Sequence, residues 1–503
     1  MKRSMRRIII PLGLVWAAAC GPAESTNDTG SAATSTEAAD VEANSPGARL
    51  LAIVGVTVIA MEGPALVADA TVLVSGDSIL SVGPRDSVAL PPGTRTIDGR
   101  GRFLVPGFTD AHVHVRSERE LLSYLRHGVT SVWNLSGTPA GAPDILETRR
   151  AIEAGERTGP TIYTSGPLLD GDPPIFAAVS TVVTDVGQAD EVVETQHRRG
   201  YDFIKIYNNL DPTVAEAVIA AAHAREMAVI GHVPRRPERA TALPRALSAG
   251  LDVIAHSEEM FFTYHHEGVE AMLDAGEVPY RDPAGIPEVV ALVSEAGAAV
   301  TPNLSFVAET RRQLDEIEAL REDPQVLLAD PESRYLAPAT RDMWTSENVA
   351  RRSDLERFDR REVAKYSYVR QLTAALAEAG VPLLAGSDAS APGLYPGRSL
   401  HSELQELVAA GLSPQQALRA ATRAPGEFVR RHVAGAPRSG VIAPGARADL
   451  VLLSADPLDD IAHTRRIEGV IARGRWLPLD ELEALRDNAL RDNGANHDSA
   501  STR

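Results

Sequence analysis

The sequence contains, at positions 105–115, the run Val105-Pro106-Gly107-Phe108-Thr109-Asp110-Ala111-His112-Val113-His114-Val115. If this run is a β-strand, His112 and His114 point to the same face and lie about 6.6 Å apart along the strand. Two imidazoles on one face can bind one metal ion, although this spacing equally fits a solvated strand face. Pro106-Gly107 marks a backbone break before the histidines, and Asp110 is near enough to accept a hydrogen bond from an imidazole.

After His114 the sequence alternates between helical stretches and short apolar strands. Several helical stretches end in glycine, which readily takes the left-handed conformation at a helix C-terminus. Eight strand-helix units over about 300 residues predict an α/β fold, a closed (β/α)8 TIM-like barrel with its active site at the carboxyl ends of the strands. A doubly wound open sheet is the alternative, because periodicity alone does not show closure. The predicted barrel spans residues 104–436, and its strands begin at Leu104, Val129, Pro160, Tyr201, Ala228, Leu251, Ala298 and Val381.

Strand-and-turn patterns flank the predicted barrel on both sides. Residues 48–103 and 437–478 are predicted to form the two parts of one small β-sandwich domain, and residues 479–503 a frayed helix and tail. Between Leu304 and the eighth strand lies a long, highly charged helical insertion. We expect this insertion to present a solvated helical face; a lid over the barrel mouth is the alternative.

Composition sets limits on the partners. The chain has 503 residues, of which 44% are apolar and 23% charged, as in an ordinary globular enzyme with a large core. Its formal net charge of −18 would repel phosphates. We therefore predict no nucleic-acid partner.

Lysine is rare in this chain, which makes one lysine informative. Of 50 basic residues only Lys2, Lys205 and Lys365 are lysines, and the rest are arginines. Lys205 lies within the apolar run Phe203–Tyr207. A buried lysine is costly unless it is neutralised or paired, so this position needs a specific explanation.

The first twenty residues predict export. A basic start precedes a short apolar run that is too short to span a bilayer, and three alanines lead to Cys20, the single cysteine. This arrangement resembles a bacterial lipoprotein signal, which implies lipidation at Cys20 and a membrane-anchored protein in the periplasm or at the cell surface. An ordinary secretory signal with an incidental cysteine is the alternative. Residues 1–20 are thus a predicted signal peptide, and residues 21–47 a flexible linker.

Residues of metal-ligand or acid/base type stand at the ends of the predicted barrel strands. Each has a purely structural alternative: His232 and His256 could be core histidines, Asp388 a helix cap and Lys205 an ion-pair partner. Their joint occurrence at strand ends favours a metal site over these alternatives. The set comprises His112, His114, Lys205, His232, His256 and Asp388.

In these motifs the chain resembles the amidohydrolase superfamily, in the branch with a carboxylated lysine and closest to imidazolonepropionase-like and dipeptidase-like enzymes. The resemblance covers about residues 50–475. Dipeptidase-like relatives tend to have an aromatic residue soon after the fifth-strand histidine, whereas Val233-Pro234-Arg235 follows here. The matching stretches are residues 106–114, Lys205 in its strand, Gly231-His232, Ala255-His256-Ser257, Gly386-Ser387-Asp388 and residues 445–450.

The resemblance implies a site with two divalent metal ions. His112, His114 and Asp388 would bind one ion, His232 and His256 the other, and a carbamate on Lys205 would bridge them. Nitrogen and oxygen ligands suit zinc, and manganese, iron or cobalt also fit. Asp388 would be catalytic, taking a proton from a metal-activated hydroxide and passing it to the leaving amine.

The predicted function is metal-dependent hydrolysis of an amide, peptide or cyclic amide C–N bond in a small molecule or dipeptide. An esterase or lactonase using the same site is one alternative, and a non-catalytic surface binding protein is another. We predict that the protein contacts the membrane only through its lipid anchor. A homo-oligomer is compatible with the sequence. Predicted substrate-binding residues are Tyr264 and His265, for the developing oxyanion, and Arg235, for a substrate carboxylate.

Overall fold

The computed structural model describes residues 50–63, 66–138, 144–235, 239–264, 271–277 and 285–500. Within these ranges its strands are β1 (Leu50–Val58), β2 (Val67–Ser75), β3 (Ser78–Pro84), β4 (Arg95–Asp98), β5 (Phe103–Pro106), β6 (Phe108–Val113), β7 (Val129–Asn134), β8 (Thr161–Thr164), β9 (Leu168–Asp170), β10 (Ser180–Val182), β11 (Phe203–Ile206), β12 (Ala228–Gly231), β13 (Val253–Ala255), β14 (Ala299–Thr301), β15 (Leu450–Leu453), β16 (Ile467–Ala472) and β17 (Arg475–Pro478). Its α-helices are Glu118–Arg126, Ile145–Glu153, Ala189–Arg199, Pro212–His223, Arg239–Ala249, Glu258–Tyr264, Ile286–Ala296, Leu304–Asp315, Ile317–Glu322, Pro338–Ser346, Leu355–Glu378, Arg398–Ala410, Pro414–Ala420, Arg423–His432 and Leu479–Ala500.

Two parallel sheets form the α/β part of the chain. One has the order β6-β7-β8 and the other β10-β9-β11-β12-β13-β14. Most of their strands are buried on both faces, as expected of parallel strands covered by helices. All four residues of β11 are buried, whereas the edge strand β10 is partly exposed. Helices separate most successive strands, although none lies between β8 and β9. Asp211 caps one of these helices by accepting hydrogen bonds from the backbone N–H groups of Thr213 and Val214 at 2.8 and 3.4 Å.

Single parallel bridges connect the pieces of these sheets. Ser165 pairs with Phe203 between β8 and β11, Val300 with Leu383, and Val113 with Ala389. The predicted eighth strand at 381–385 therefore forms no continuous ladder, and its residues pair through isolated bridges. Backbone hydrogen bonds still hold it between its neighbours: Leu384 N–H donates to the Val300 carbonyl at 2.9 Å, and Ala111 N–H to the Ala385 carbonyl at 2.9 Å.

Gly107 is the point where the chain passes from one sheet to the other. The run predicted as one strand is two, because β5 ends at Pro106 and β6 begins at Phe108. A Cβ atom at Gly107 would lie 2.1 Å from the Thr130 hydroxyl oxygen, so only glycine fits. Its N–H donates to the Asp449 carbonyl at 2.7 Å, which ties this junction to the C-terminal strands.

Residues 50–106 and 450–478 build one separate, eight-stranded sheet, which we call the end sheet. Its order is β17-β16-β15-β5-β1-β2-β3, with β4 pairing with β1. Strand β5 lies parallel to β1, while β15 pairs with it antiparallel, Leu450 opposite Pro106. The turn at Gly474 lies close to the turn between β2 and β3: a Cβ atom added at Gly474 would lie 1.7 Å from the Gly76 carbonyl oxygen. The two halves of the sheet therefore touch at this corner.

The C-terminal segment and the insertion both pack on the rest of the chain. The predicted tail is helical over Leu479–Ala500, and Arg486 of this helix is buried against the Tyr335 ring at 3.6 Å. The insertion has its own apolar cluster, centred on Trp344 and Leu327. The outer faces of these helices carry charged side chains, whereas Glu362 and Lys365 are buried and paired with each other.

Predictions for the N-terminal 47 residues, including the signal peptide, Cys20 and the linker, lie outside the described residues. None of the helices in the described ranges combines the length and apolarity needed to cross a bilayer.

Candidate metal centre

His112, His114 and Asp388 converge at the carboxyl end of β6. The Nε2 atoms of His112 and His114 lie 3.5 and 3.0 Å from Oδ1 of Asp388. Candidate ligand atoms of the three side chains all fall within 4.8 Å of one another. The backbone fixes this arrangement, because Asp388 N–H donates to the His112 carbonyl at 2.8 Å and His114 N–H to the Ala389 carbonyl at 2.5 Å.

Asp110 supports this cluster through the backbone rather than through an imidazole. Its buried carboxylate accepts hydrogen bonds from the Ser387 N–H at 2.9 Å and the Ser387 hydroxyl at 2.5 Å. The expected partner, an imidazole N–H, is not among its contacts in the described residues. Burial raises the pKa of Asp110 to about 7, against the effect of the Ser387 hydrogen bonds. Asp110 therefore positions the loop that carries Asp388.

Lys205 lies on β11 with only 1% of its surface exposed. Its Nζ atom is buried and has no hydrogen-bond partner in the described protein. Burial lowers the pKa of Lys205 to about 7, and the charges of Asp388 and Glu259 oppose this only in part. A substantial fraction of this amine is therefore uncharged near neutral pH, unlike that of an ordinary lysine.

His256 and His232 continue the row of imidazoles from His112. The His256 ring centroid is 4.7 Å from that of His112 and 4.7 Å from that of His232. Burial lowers the pKa values of all three, well below the ordinary value for His112 and His232, so the rings are neutral and able to act as ligands. The structure thus brings the predicted histidines of three different strands into one row.

Two of the predicted ligands have unusual backbone conformations. His256 has φ of 72° and Asp388 φ of 60°, in the left-handed region that non-glycine residues seldom occupy. Such residues cost roughly 1–3 kcal/mol each and cluster at functional sites. Their position at two strand ends is consistent with side chains held for a site rather than for packing.

Sequence reasoning missed the group that orients His232. The Nδ1 atom of His232 donates to Oε1 of Glu259 at 2.9 Å. Glu259 is completely buried and also accepts hydrogen bonds from Val233 N–H at 3.1 Å, Asn208 Nδ2 at 3.1 Å and an Arg235 guanidinium nitrogen at 2.8 Å. Burial raises the pKa of Glu259, and the Arg235 charge opposes that effect. With Nδ1 protonated, Nε2 of His232 is left free to bind a metal ion.

The predicted substrate-binding residues have different outcomes. Arg235 is bound to Glu259, and its guanidinium carbon lies 4.6 Å from the Phe262 ring centroid, so it is held by the protein. Tyr264 is the last residue of the helix that begins at Glu258, but its side chain is not among those described. His265 lies outside the described residues. Tyr207, which sequence reasoning did not select, packs on His232 with ring centroids 4.1 Å apart.

The donor set fits a divalent metal ion. Nδ1 of His112, Nδ1 of His256 and Nζ of Lys205 are buried without a hydrogen-bond partner in the described protein. Buried polar atoms normally have a partner, and an ion is one way to supply it. Neutral imidazoles and an ionised carboxylate are ligands that zinc and similar ions accept. Together, the fold and the site define an α/β protein with a histidine-aspartate metal centre at the carboxyl ends of its parallel strands.

This chain belongs to the amidohydrolase family. The family model matches residues 103–477. This range includes the parallel sheets, every residue of the candidate site and most of the C-terminal strands. Amidohydrolases are metal-dependent, in agreement with the centre described above.

Similarity to individual proteins is local in sequence and extensive in structure. The chain is 49% identical over 65 residues to the 5-methylthioadenosine/S-adenosylhomocysteine deaminase of Pelotomaculum thermopropionicum. The aligned stretch covers 12% of this chain and 15% of the deaminase. It is 38% identical over 85 residues to the imidazolonepropionase of Symbiobacterium thermophilum, 16% of this chain and 19% of that one. The chain thus spans less than a fifth of the curated relatives it matches. The structure of bottromycin amidohydrolase superposes with a TM-score of 0.64 at 25% identity, covering 87% of this chain and 90% of that one.

Proposed function

We propose that this protein is a metal-dependent hydrolase that cleaves the C–N bond of an amide, peptide or cyclic amide. The observation that carries the proposal is the buried, unpartnered Lys205 Nζ beside a row of neutral histidines and Asp388. The imidazolonepropionase and the bottromycin amidohydrolase that the chain resembles are named for chemistry of this kind. Within the family, the imidazolonepropionase-like and dipeptidase-like enzymes are the proposed branches.

A closed barrel is part of this proposal. Three isolated bridges join the two parallel sheets to each other and to the segment predicted as the eighth strand, which supports a closed (β/α)8 barrel. They are Ser165–Phe203, Val300–Leu383 and Val113–Ala389. The contact between the Gly474 and Gly76 turns supports a sandwich formed by the eight-stranded sheet folding over its own core.

The proposed ligand set has two parts. His112, His114 and Asp388 would hold one divalent ion, and His232 and His256 a second, with Lys205 between them. Bound ions supply Lewis-acid activation of water and of the substrate carbonyl. Zinc is the ion that this set fits best, and manganese, iron and cobalt are the alternatives.

Asp388 is the proposed proton carrier. Burial alone would raise the pKa of Asp388, but the hydrogen bond from His114 and the interactions with the nearby His256 and Lys205 side chains lower it overall. Its carboxylate is therefore ionised at neutral pH and can accept a proton at Oδ1 or Oδ2. Passing that proton to the departing nitrogen converts a poor leaving group into a neutral amine.

Lys205 would act as a carbamate. Its uncharged amine can attack carbon dioxide, forming an N–C bond and releasing one proton, and the product is an anion with two oxygens. Arginine cannot do this, which explains a lysine at this buried position in an arginine-rich chain. Two cations would stabilise the carbamate, which is otherwise labile.

The test is metal content and turnover of residues 21–503 beside Lys205→Ala. We expect about two metal equivalents in the wild type, and a marked loss of both metal and turnover in the variant. Lys365→Met is a control for the loss of a buried lysine, because Lys365 is also buried and contacts no predicted ligand. Measured under conditions in which the variant is folded, it should keep the metal. Wild-type protein that stays metal-free and inactive after addition of metal and bicarbonate would contradict the proposal and favour the binding-protein alternative. A matched pair of amide and ester substrates separates an amidase from an esterase or lactonase.

We also propose that the protein is exported and lipidated at Cys20. The basic start, the short apolar run and the alanines before Cys20 support this. Expressed with its first 20 residues in a bacterium, the protein should fractionate with membranes, and Cys20→Ala should release it into a soluble fraction. Identical fractionation of both proteins would contradict lipidation.

A further inference from the structure

An apolar surface borders the candidate metal centre. Four of the seven exposed large apolar side chains in the described residues fall within one short segment, 175–186. Phe176 is the most exposed of them, with 51% of its surface accessible, and Ile175, Val182 and Val186 are exposed by 41–49%. Large apolar side chains that are exposed within one short segment are typical of binding sites.

Two ring contacts connect this surface to a predicted ligand. The Phe176 ring packs edge-on against Tyr207, with centroids 5.7 Å apart. Tyr207 in turn packs on His232, at 4.1 Å between centroids. The Phe176 ring centroid is therefore no more than about 10 Å from that of His232.

The segment that carries Phe176 is fixed by a buried carboxylate. Asp170 is completely buried and accepts hydrogen bonds from the backbone N–H groups of Gly171 at 3.0 Å, Ile175 at 2.8 Å and Asn209 at 2.8 Å. A Cβ atom at Gly171 would lie 1.9 Å from the Asn209 carbonyl oxygen, so the loop after β9 lies directly on the loop after β11. Phe176 is thus held at the carboxyl ends of two adjacent parallel strands, on the same side as Lys205 and His232.

We propose that Phe176 and Tyr207 form the wall that selects the substrate, and that it selects a large apolar side chain next to the scissile bond. This inference rests on the proposed hydrolase function and specifies its substrate class: aromatic or branched aliphatic amino-acyl amides and dipeptides. A substrate side chain placed on this wall would contact ring faces and edges and cover the apolar surface from water.

Binding of two metal-directed probes tests the wall without requiring turnover. Glycine hydroxamate and L-phenylalanine hydroxamate share the metal-binding group and differ only in the side chain. On the metal-loaded protein, calorimetry should show the phenylalanine probe binding at least tenfold more tightly. Phe176→Ala should reduce that ratio at least fivefold and leave glycine hydroxamate affinity unchanged. Leu90→Ala is the matched control, since Leu90 is also an exposed apolar residue but lies beside the end sheet; it should leave the ratio unchanged.

Each outcome has a distinct meaning. Equal affinities of the wild type for both probes, or a ratio that survives Phe176→Ala, would overturn the inference and leave the hydrolase proposal intact. Protein that binds neither probe and stays metal-free after metal and bicarbonate are added would overturn the proposed function, and the inference with it. A wild-type dimer that Phe176→Ala dissociates, with an unchanged probe ratio, would show that this surface is a subunit interface and overturn the inference.

Discussion

Replacing Glu259 by glutamine should weaken metal binding although Glu259 is not a ligand. Both carboxylate oxygens accept hydrogen bonds, Oε1 from His232 and Arg235 and Oε2 from Val233. An amide at this position must turn its NH₂ group towards one of these donors. If the NH₂ group faces His232, Nδ1 becomes an acceptor and the proton moves to Nε2, which then cannot bind a metal ion.

Loss of such an orienting carboxylate typically costs 10–100-fold in metal affinity, or about 1.4–2.7 kcal/mol. The second consequence is on stability, because Arg235 keeps its charge with only 19% of its side chain exposed. Breaking a buried ion pair costs up to about 3–5 kcal/mol in unfolding free energy. The two effects are separable, since metal affinity can be measured where both proteins are fully folded.

The assay is competition for metal with a chromophoric chelator, using metal-stripped Glu259→Gln and wild-type protein. Glu120→Gln is the matched control, because Glu120 is equally buried and also accepts a backbone hydrogen bond, from Arg116 at 2.9 Å, but contacts no histidine. Its affinity should stay within twofold of the wild type. If Glu259→Gln binds metal as tightly as Glu120→Gln, the orienting role that we assign to Glu259 is refuted.

Three further changes test other parts of the structure. Burial raises the pKa of Glu403 to about 8, so the folded protein retains a proton that the unfolded chain loses near pH 4.5. Urea unfolding should therefore show the unfolding free energy falling as the pH rises between these values, with Glu403 contributing up to about 1.4 kcal/mol per pH unit. Glu403→Gln should remove that contribution. Lys365→Met leaves the buried Glu258 and Glu362 carboxylates, each 2.6 Å from Nζ in the wild type, without their cation, and should cost about 3–5 kcal/mol of unfolding free energy; a change below 1 kcal/mol would contradict this role. Gly474→Ala should destabilise the end sheet, because the new Cβ would lie 1.7 Å from the Gly76 carbonyl, and an unchanged melting temperature would show that the two turns separate easily.

The strand-end pattern predicted that His112, His114 and Asp388 would meet, and the structure brings their candidate ligand atoms within 4.8 Å of one another. Lys205 and Asp388 are 183 positions apart in the numbering, yet both follow from the rule that the carboxyl ends of parallel strands share one edge. Glu259 could not be predicted in the same way, because its role depends on the direction of one side chain towards His232 on another strand. The contact of Phe176 with Tyr207 likewise arises from two loops, where no periodicity constrains the chain.

The end sheet shows a second limit of sequence reasoning. Strand-and-turn patterns predicted a β domain from residues 48–103 and 437–478, and strands of the end sheet lie within both ranges. The break at Gly107 was visible as turn chemistry, but its consequence, a transfer between sheets, depends on the closeness of Thr130. The apolar residues at 381–385 were enough to predict an eighth strand. They did not predict that this strand pairs with its neighbours through isolated bridges, because that depends on backbone geometry and not on composition.

The position of β5 between β1 and β15 has a consequence for biosynthesis. Its two neighbours are made at very different times, because Leu450 follows its partner Pro106 by about 340 residues, or roughly 20–70 s of translation. Until then one edge of β5 is an unpaired row of backbone groups, open to other chains. A polypeptide that terminates before Leu450 would keep that edge permanently, so premature termination should yield aggregating fragments rather than a smaller working enzyme.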